Sequence, residues 1–356
     1  MADESILKIL SYNNAKYIGN TKNNKKDGQG TIEYKNGDIY EGNFKDDKKE
    51  GKGIYYYKSG AKYEGEFHND KKHGKGIYHY KNGIKYEGDF INDKKEGKGI
   101  YFYKNGTKYE GDFANEKKEG KGIYTYKNGV KYEGDFINDI MEGNGKIFYT
   151  NGTIFEGKFN NGEKTGKGKY LYKNGDSYEG NLVKGKKVGK WIYTFKNGDE
   201  YEEEYNERNE LISDKKIYRF NNGDIFQGIW INGKKIGEGT YYYNNGNNYE
   251  GNWRDDEKNG KGLFFYSNGD IYEGDWEKGK KNGFGKYSYS GIKKEKYEGE
   301  WNNGKREGNG VYSFSDIDKY EGSWKNDLRD GEGIFYCNDN QKKCKYSNGN
   351  FVNYIE

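Results

Sequence analysis

The stretch Lys-Tyr-Glu-Gly-Asp-Phe occupies residues 85–90 and recurs unchanged at 108–113 and 131–136. The interval of 23 residues continues in both directions when only the aromatic residue at the tyrosine position is followed. These aromatic residues are Tyr17, Tyr40, Tyr63, Tyr86, Tyr109, Tyr132, Phe155, Tyr178, Tyr201, Phe226, Tyr249, Tyr272, Tyr297 and Tyr320. Two intervals, from Tyr201 and from Tyr272, are 25 residues long. A fixed period in this range predicts an array of stacked repeats, each too small to fold alone.

The composition favours a folded array over a disordered chain. Only 31% of the residues are hydrophobic and 34% are charged, a balance that is typical of disordered segments. Aromatic residues, however, make up 18% of the chain, and each large ring can bury about 150–250 Å². Proline is absent, and the 56 glycines recur with the repeat, which indicates positions where the backbone needs freedom from a side chain.

One repeat, residues 86–108, predicts a β-hairpin. Tyr86, Gly88 and Phe90 alternate with Glu87 and Asp89, the pattern of a strand with one apolar and one solvated face. The glycine between the two aromatic residues lets a ring from a neighbouring strand or repeat lie flat over the backbone. The repeated motif is therefore predicted to be architectural and not catalytic.

The second half of the repeat predicts the return strand and two different connections. Residues 91–99 are polar and are expected to form a long lysine-rich loop, in which Gly97 and Gly99 supply a bulge. Residues 100–103 are β-branched and aromatic, as in a strand. Asn105-Gly106 predicts a type I′ turn, which needs positive φ at both residues.

The pattern Tyr-Glu-Gly-x-Phe/Trp followed by two paired glycines resembles the MORN (membrane occupation and recognition nexus) repeat. Residues 63–67 with Gly74 and Gly76, and residues 249–253 with Gly260 and Gly262, carry this resemblance, which extends from residue 17 to about 343. The resemblance implies a β-hairpin ribbon, in agreement with the alternation. We therefore predict an all-β, elongated, single-layer β-hairpin repeat ribbon of about 14 MORN repeats of 23 residues, roughly 130 Å long at about 4.8 Å per strand.

Departures from the repeat suggest five segments. The copy at 201–225 has Glu203 in place of the strand glycine and no glycine in its loop, and from Trp230 onward tryptophan replaces the second aromatic residue. We expect a bend or a mobile joint at this copy. The predicted segments are an N-terminal cap at 1–16, an N-terminal arm at 17–200, the degenerate joint at 201–225, a C-terminal arm at 226–343, and a tail or partial repeat at 344–356.

Catalytic motifs are not predicted. Gly-x-x-x-x-Gly-Lys occurs at 180–186, 228–234, 274–280 and 299–305, but each copy is followed by Lys or Arg and not by the Ser or Thr that would hold Mg²⁺. The carboxylates repeat along a solvated face, which is not expected of a single hydrolytic pair. The net charge of +4 is too small to indicate a nucleic-acid binder. We predict no enzymatic activity, no cofactor and no nucleic-acid partner.

No metal site is predicted either. His68, His73 and His79 lie in one repeat and are interpreted as drift at ordinary repeat positions. Cys337 and Cys344 are the only cysteines and are expected to be free thiols. Cys337 and Cys344 are the candidate zinc ligands, but a tetrahedral zinc site would need two further ligands, for example from a second chain.

Paired lysines recur along one edge of the predicted ribbon and form a candidate anionic-surface edge. The pairs are Lys48 and Lys49, Lys71 and Lys72, Lys94 and Lys95, Lys117 and Lys118, Lys186 and Lys187, Lys234 and Lys235, and Lys280 and Lys281. This edge is expected to contact anionic lipid or an acidic protein tail. The alternative is a solvated polar edge, because the same loops carry carboxylates and the spacing of about 10 Å exceeds the Debye length of about 8 Å.

The C-terminal end predicts self-association. An open ribbon leaves an unpaired strand edge, and the last residues are apolar. We expect a two-fold, end-to-end homodimer with Trp324, Tyr336, Phe351 and Tyr354 near its centre. The alternative is that the tail folds back as an intramolecular cap, as residues 6–12 are expected to do at the other end.

Two functions of different classes follow. The first is a non-catalytic structural scaffold that self-associates and organises cytoskeletal or membrane-associated protein assemblies, with a role in cell division implied by the resemblance to repeat-only MORN scaffolds. The alternative is a peripheral membrane adaptor for anionic lipid or phosphoinositide, as the family name implies. With no signal peptide or membrane span in the sequence, the expected location is the cytoplasm, at the cytoskeleton or a membrane.

Overall fold

The computed structural model of the chain describes residues 6–338 and 340–355. The parts of the predicted cap, C-terminal arm and tail at residues 1–5, 339 and 356 lie outside the described residues. The described residues form 31 β-strands and no helix, which confirms the all-β prediction. No helix in this part of the chain could therefore cross a membrane.

Contacts divide the chain into two units, residues 1–187 and 188–356. In the first unit the strands are β1 (Ile6–Ser11), β2 (Ala15–Lys22), β3 (Lys25–Tyr34), β4 (Ile39–Lys45), β5 (Lys48–Tyr56), β6 (Lys62–His68), β7 (Lys71–His79), β8 (Lys85–Ile91), β9 (Lys94–Phe102), β10 (Lys108–Ala114), β11 (Lys117–Thr125), β12 (Lys131–Ile137), β13 (Ile140–Phe148), β14 (Ile154–Asn160), β15 (Glu163–Leu171) and β16 (Ser177–Val183). In the second unit they are β17 (Lys186–Thr194), which begins at the boundary, β18 (Glu200–Tyr205), β19 (Lys215–Arg219), β20 (Ile225–Ile231), β21 (Lys234–Tyr242), β22 (Asn248–Arg254), β23 (Glu257–Phe265), β24 (Ile271–Glu277), β25 (Lys280–Ser288), β26 (Lys296–Asn302), β27 (Lys305–Ser313), β28 (Lys319–Lys325), β29 (Leu328–Cys337), β30 (Asn340–Ser347) and β31 (Asn350–Tyr354).

Within each unit, successive strands pair antiparallel in chain order, so each repeat is a hairpin in a single open sheet. Between β8 and β9, Tyr86 faces Tyr101 and Gly88 faces Gly99. Between β9 and β10, Gly99 in turn faces Gly111. The register therefore lines up the tyrosines and the glycines of successive repeats in rows across the sheet, which confirms the predicted hairpin ribbon.

The predicted long loop at 91–99 is wrong. Strand β9 already begins at Lys94, so only Asn92 and Asp93 form the connection. Their φ angles are 49° and 72°, the two positive values of a type I′ turn, which Asn and Asp tolerate. The pairing slips between Gly88 and Asp89, leaving Gly97 and Lys98 opposite no residue of β8. Gly97 has φ of 60°, so the predicted bulge is confirmed, but it lies inside the strand.

The predicted type I′ turn at Asn105-Gly106 is also wrong. Only Gly106 has positive φ, 87°. Its N–H donates to the carbonyl oxygen of Tyr103 at 3.1 Å, and the N–H of Tyr103 donates to the carbonyl oxygen of Thr107 at 2.9 Å. This is the three-residue hairpin loop, a type I turn followed by a left-handed glycine. Asn-Gly is compatible with both turns, and the loop length selects between them.

Aromatic rings and glycines together build the core on one face of the sheet, called here the aromatic face. The Tyr86 ring lies against Gly88 and Gly99, where a β-carbon on Gly99 would sit 2.5 Å from Cε2 of the ring. The ring also packs edge-to-face on Phe90 and on Phe113 of the next repeat, with centroids 5.2 and 5.0 Å apart. The expectation that a ring from a neighbouring strand or repeat covers Gly88 is wrong, because the ring that lies against it is Tyr86 of the same strand, which reaches across to Gly99 as well.

In the second unit tryptophan occupies the second aromatic position. Trp276 is 6% exposed, and its indole N–H donates to the carbonyl oxygen of Gly262 in the preceding repeat at 3.3 Å. For Trp230, the residue at the position that corresponds to Gly262 is Lys216, in the degenerate copy. The indole N–H of Trp230 has no hydrogen-bond partner among the described residues.

The degenerate copy is paired over a shorter length. Strands β18 and β19 pair at three positions, whereas β22 and β23 pair at six. A single bridge from Tyr205 to Leu211 closes the connection between them. The bend or mobility expected at 201–225 stays a prediction.

Hairpins of different sequence lie at the two ends of the described chain. Strand β1 pairs with β2, so residues 6–11 of the predicted cap form a strand. At the other end β30 pairs with β29 and places Cys344 opposite Gly333. Tyr346 then packs against Tyr320 at 5.5 Å, where earlier repeats place a tryptophan. The predicted tail thus forms a closing hairpin of β30 and β31.

Candidate interaction surfaces

The face opposite the aromatic rings, called here the outer face, carries a groove of about 2000 Å³ in the first unit. Strand alternation places Glu87, Lys98 and Ile100 on this face, and in the register Glu87 lies between Ile77 and Ile100. The groove crosses the strands from β1 to β15. Its lining repeats as Glu41, Glu64, Glu87, Glu110, Glu133 and Glu156, as Ile54, Ile77, Ile100 and Ile123, and as Lys52, Lys75, Lys98 and Lys121.

Part of the charge in this groove is already paired. Lys75 Nζ lies 2.6 Å from a carboxylate oxygen of Asp89, and Lys85 Nζ lies 3.1 Å from Glu87. Lys98 takes the same place in the next repeat, facing Asp112. The glutamate row alternates with isoleucine, so the groove offers aliphatic surface beside carboxylates. Such a lining suits a segment with apolar and basic side chains.

The structure separates the two lysines of each predicted pair. Lys48, Lys71, Lys94, Lys117 and Lys186 are exposed at the start of their strands. Their partners Lys49, Lys72, Lys95, Lys118 and Lys187 lie on the aromatic face, partly or fully buried against rings. The expectation that both members of each pair form one exposed edge is wrong, because strand alternation sends them to opposite faces.

The inner lysines form a cation row over the aromatic core. Lys49 Nζ lies 4.8 Å from the centre of the Tyr55 ring, and Lys72 Nζ lies 4.9 Å from that of Tyr78, distances at which a cation is attracted to the ring face. Burial lowers the pKa of both ammonium groups below the usual lysine value.

In many repeats a carboxylate at the second position of the type I′ turn holds this row in place. Asp70 accepts a hydrogen bond of 2.9 Å from the backbone N–H of Lys49 in the preceding repeat. The same backbone bond joins Lys26 to Asp47, Lys72 to Asp93, Lys95 to Glu116, Lys118 to Asp139, Lys235 to Asp256 and Arg306 to Asp327. These turn carboxylates link neighbouring repeats and also neutralise the cation row. Lys95 Nζ, for example, lies 3.2 Å from Glu116.

The predicted dimer residues do not converge on one surface. Trp324 is 5% exposed and donates its indole N–H to Gly310 at 3.1 Å, so its predicted place at a dimer centre is wrong. Tyr336 is half-buried on the outer face, with Lys319 Nζ 4.3 Å above its ring. Phe351 and Tyr354 are 49% and 59% exposed on β31 and pack on each other. Only these last two present an accessible apolar surface.

The cysteines and histidines do not build a metal centre in the part of the chain that the structure describes. Cys337 is exposed, whereas Cys344 is buried, and both are free. Cys344 Sγ donates to the carbonyl oxygen of Gly333 at 3.4 Å. The ring nitrogen Nδ1 of His68 lies at hydrogen-bond distance, 2.9 Å, from the carboxylate oxygen Oε1 of Glu50. These side chains belong to the packing and solvation of the repeats.

Three features escaped the sequence analysis: the groove, the cation row and the turn carboxylates. The groove is lined by residues of many consecutive strands, and the pattern of a single repeat carries no signal for it. The cation row and the turn carboxylates do have a signal in the sequence. A lysine and an acidic residue recur 21 positions apart, as with Lys49 and Asp70, and a spacing close to the repeat length indicates a contact between equivalent positions of neighbouring repeats.

Comparison with known families places a repeat model over most of the chain. The model described as MORN repeat matches thirteen segments: 17–39, 40–62, 63–85, 86–108, 109–131, 132–154, 155–177, 178–200, 226–248, 249–271, 272–291, 297–316 and 320–342. It leaves out 201–225, the degenerate copy. No curated protein matches the sequence.

Solved structures give only distant likenesses. The wild-type TCP10 domain of Danio rerio CPAP is 12% identical with a TM-score of 0.36, over 61% of this chain and 96% of that chain. The Drosophila melanogaster Sas-4 TCP domain in complex with a proline-rich motif of Ana2 is 18% identical with a TM-score of 0.29, over 49% of this chain and 86% of that chain. TM-scores this low carry no argument about function.

Proposed function

The chain belongs to the MORN-repeat family, and on this premise we propose that it is a non-catalytic scaffold that holds partner proteins along the outer-face groove of its first unit. The groove is the observation that carries the proposal. It presents one glutamate and one isoleucine per repeat over several consecutive repeats, a surface that recognises an extended partner and not a single small substrate. The partners are cytoplasmic proteins of cytoskeletal or membrane-associated assemblies, including those of dividing cells.

Self-association is the second part of this role. Strand β31 pairs with β30 on one side and exposes Phe351, Val352 and Tyr354. A strand with a free edge and apolar side chains pairs readily with a second copy, and two-fold pairing uses the same surface in both copies. The proposal is a homodimer through β31, with Phe351 and Tyr354 in the contact and Trp324 inside each chain.

Binding to anionic lipid is the alternative function, and the side chains favour it less. Many of the inner lysines face turn carboxylates, and the groove is lined by a glutamate row. The exposed lysines at the strand starts remain, and several of them contact asparagine at the turns, as Lys48 does with Asn69 at 2.9 Å. The strand starts offer one exposed lysine per repeat, spaced by about 10 Å, and groove lysines such as Lys98 are paired with carboxylates. The attraction for a membrane surface is therefore weak.

Two sedimentation assays on the full chain test the proposal. The scaffold role predicts that the tagged protein is retained in the detergent-insoluble cytoskeletal fraction of cells. It also predicts that the purified protein does not sediment with phosphatidylserine and phosphoinositide vesicles at physiological salt. Vesicle sedimentation without cytoskeletal retention would contradict the scaffold role and support the lipid adaptor.

A further inference from the structure

Lys258 and Lys281 are two members of the cation row that lack the turn carboxylate that counterparts such as Lys235 face. For Lys258 the turn of the next repeat is Lys278-Gly279, and for Lys281 it is Asn303-Gly304. Gly279 and Gly304 thus occupy, relative to Lys258 and Lys281, the turn position that Asp256 occupies relative to Lys235. The backbone is otherwise alike, because the N–H of Gly279 donates to the carbonyl oxygen of Lys258 at 3.0 Å, as that of Asp256 does to Lys235 at 3.2 Å.

The place of the missing carboxylate is open. A β-carbon on Gly279 or on Gly304 would meet no atom within 4 Å. At Lys235 the corresponding space holds the Asp256 carboxylate, which accepts the lysine backbone N–H at 3.0 Å and lies 3.3 Å from its ammonium. Within the described chain, no carboxylate lies within ion-pair distance of the Lys258 or Lys281 ammonium groups.

Aromatic rings fix both ammonium groups in position. Lys281 Nζ lies 4.2 Å from the Trp301 ring centre and 4.7 Å from that of Tyr287, with Tyr272 at 5.3 Å. The charges that act on the Lys281 ammonium are those of Asp327 and Arg306, which pair with each other.

Lys258 has a similar enclosure. Its Nζ lies 4.6 Å from the ring centres of both Phe264 and Trp276, with the Tyr249 ring at 5.5 Å and the Tyr243 hydroxyl at 3.4 Å. Burial lowers the pKa of Lys258 to about 8, and burial together with Arg306 lowers that of Lys281 to about 8, against the opposing effect of Asp327. A cation held without a counter-ion in this way gains stability when an anion arrives.

A third lysine shows how the chain otherwise compensates. Lys164 also faces a glycine turn residue, Gly185, but its ammonium donates to the hydroxyl oxygens of Tyr149 at 2.7 Å and Tyr170 at 3.1 Å. Burial lowers the pKa of Lys164, and these two hydrogen bonds outweigh it and raise the pKa above the usual value. Lys281 has no such hydroxyl partner among its described contacts.

We propose that Lys258 and Lys281, in consecutive repeats of the second unit, form a paired carboxylate-binding site for an acidic segment of a partner protein. Each half offers a backbone N–H, an ammonium group packed against aromatic rings, and the space that an aspartate fills in other repeats. Two strands separate the halves by about 10 Å, a distance that three residues of a polyproline II segment span at about 3.1 Å each, with side chains i and i+3 on the same side. A carboxylate is favoured over a phosphate because this geometry already receives carboxylates elsewhere in the same chain. The site is in a different unit and on a different face from the groove, so it does not depend on the proposed scaffold partner.

The test uses the full chain with isotope-labelled lysine and three probes: acetate, inorganic phosphate and the peptide acetyl-Glu-Gly-Gly-Glu-amide. We expect saturable shifts of the Lys258 and Lys281 signals with acetate and with the peptide, and roughly tenfold or tighter binding of the peptide because it engages both halves. Calorimetry at about pH 8.5 in two buffers should show proton uptake on binding, because an anion restores the pKa of lysine toward its usual value.

Two variants supply matched controls. Gly279→Asp/Gly304→Asp places internal carboxylates in the site and should abolish the shifts. Asp256→Gly opens a third half-site and should make the Lys235 signal responsive to acetate. Absence of saturable shifts in the parent chain, shifts retained in a folded Gly279→Asp/Gly304→Asp chain, an unresponsive Lys235 in Asp256→Gly, or preferential binding of phosphate would each overturn the proposal. If the double variant does not fold, the parent and Asp256→Gly results decide.

Discussion

The phenolic hydroxyl of Tyr249 donates a hydrogen bond of 3.0 Å to the carbonyl oxygen of Asn252, three residues later in the same strand. The bond holds the ring across Gly251 and Gly262, which face each other in neighbouring strands. Phe155 and Phe226 occupy the same place in two other repeats, so the ring over the glycines is the shared element and the hydroxyl bond is an addition to it.

We expect Gly262→Ala to destabilise the second unit. A β-carbon at Gly262 would lie 2.5 Å from Cε2 of Tyr249, and overpacking of this kind costs about 1–3 kcal/mol. The control is Gly291→Ala, because a β-carbon there would meet no atom within 4 Å and its φ is not positive. The two variants, Gly262→Ala and Gly291→Ala, are compared by their midpoints of unfolding in urea. Equal midpoints for the two variants would show that the ring does not need the glycine.

Asp70→Gly should weaken the link between two repeats. Glycine accepts the φ of 69° at this turn position, so the variant removes only the carboxylate that accepts the Lys49 N–H. A lost hydrogen bond of this kind costs about 1 kcal/mol, and amide exchange at Lys49 should become faster. Asn69→Gly changes the same turn and keeps the carboxylate, so exchange at Lys49 should stay slow. Similar exchange in both variants would assign no role to Asp70.

Stability of the second unit should rise with pH between about 8 and about 10 because of Lys258 and Lys281. Their folded pKa of about 8 lies below the ordinary value of 10.5, so above pH 8 the unfolded chain binds more protons than the folded chain, and unfolding becomes less favourable as pH rises. The effect is measured as the difference in urea midpoint between the parent chain and Lys258→Met/Lys281→Met. A difference that does not change over this range would refute the assignment.

The upper limit of that window is set by tyrosine. Burial raises the pKa of Tyr266 and of Tyr320 to about 12. The unfolded chain ionises its tyrosines near pH 10, so above that value these side chains lose their contribution to stability. The comparison with the lysine variant removes this shared effect.

Much of the fold could be predicted from the sequence because the repeat averages over local ambiguity. The alternation of Tyr86, Gly88 and Phe90 predicted the strand and its buried face correctly. The turns were misjudged because local signals compete. Asn105-Gly106 is compatible with two turn types. The lysines before Gly97 are typical of a polar loop, although they belong to a strand with a bulge. Pairing with the neighbouring repeat decides both cases, and single-repeat patterns do not contain it.

The candidate sites were predicted less well than the fold. Lys48 and Lys49 were assigned to one surface because they are adjacent in sequence, yet a strand sends neighbours to opposite faces. Trp324 was assigned to an interface as an aromatic residue near an end, whereas it is buried inside the chain, edge-to-face on Tyr297 of the preceding repeat. Phe351 and Tyr354, on the last strand of the closing hairpin, are the residues for which the interface prediction can still be tested.

Phe351→Ser/Tyr354→Ser should convert the proposed homodimer into a monomer. Both side chains are about half exposed on β31, so the substitutions remove apolar contact without opening the core of one chain. The matched control is Leu7→Ser/Ile9→Ser on β1, at the other end, where the two side chains are 73% and 65% exposed. Light scattering gives the mass. A monomeric parent chain, or a dimer that only the β1 variant disrupts, would exclude pairing through β31.

The most direct test of the scaffold proposal is cytoskeletal retention of a groove variant beside an edge variant. Glu64→Lys/Glu87→Lys/Glu110→Lys reverses three carboxylates that line the groove, and Lys48→Glu/Lys71→Glu/Lys94→Glu reverses three exposed lysines at the strand starts. We predict that the groove variant, folded as judged by its circular dichroism, leaves the cytoskeletal fraction while the edge variant remains in it. Full retention of the groove variant, with loss of the edge variant, would contradict the account.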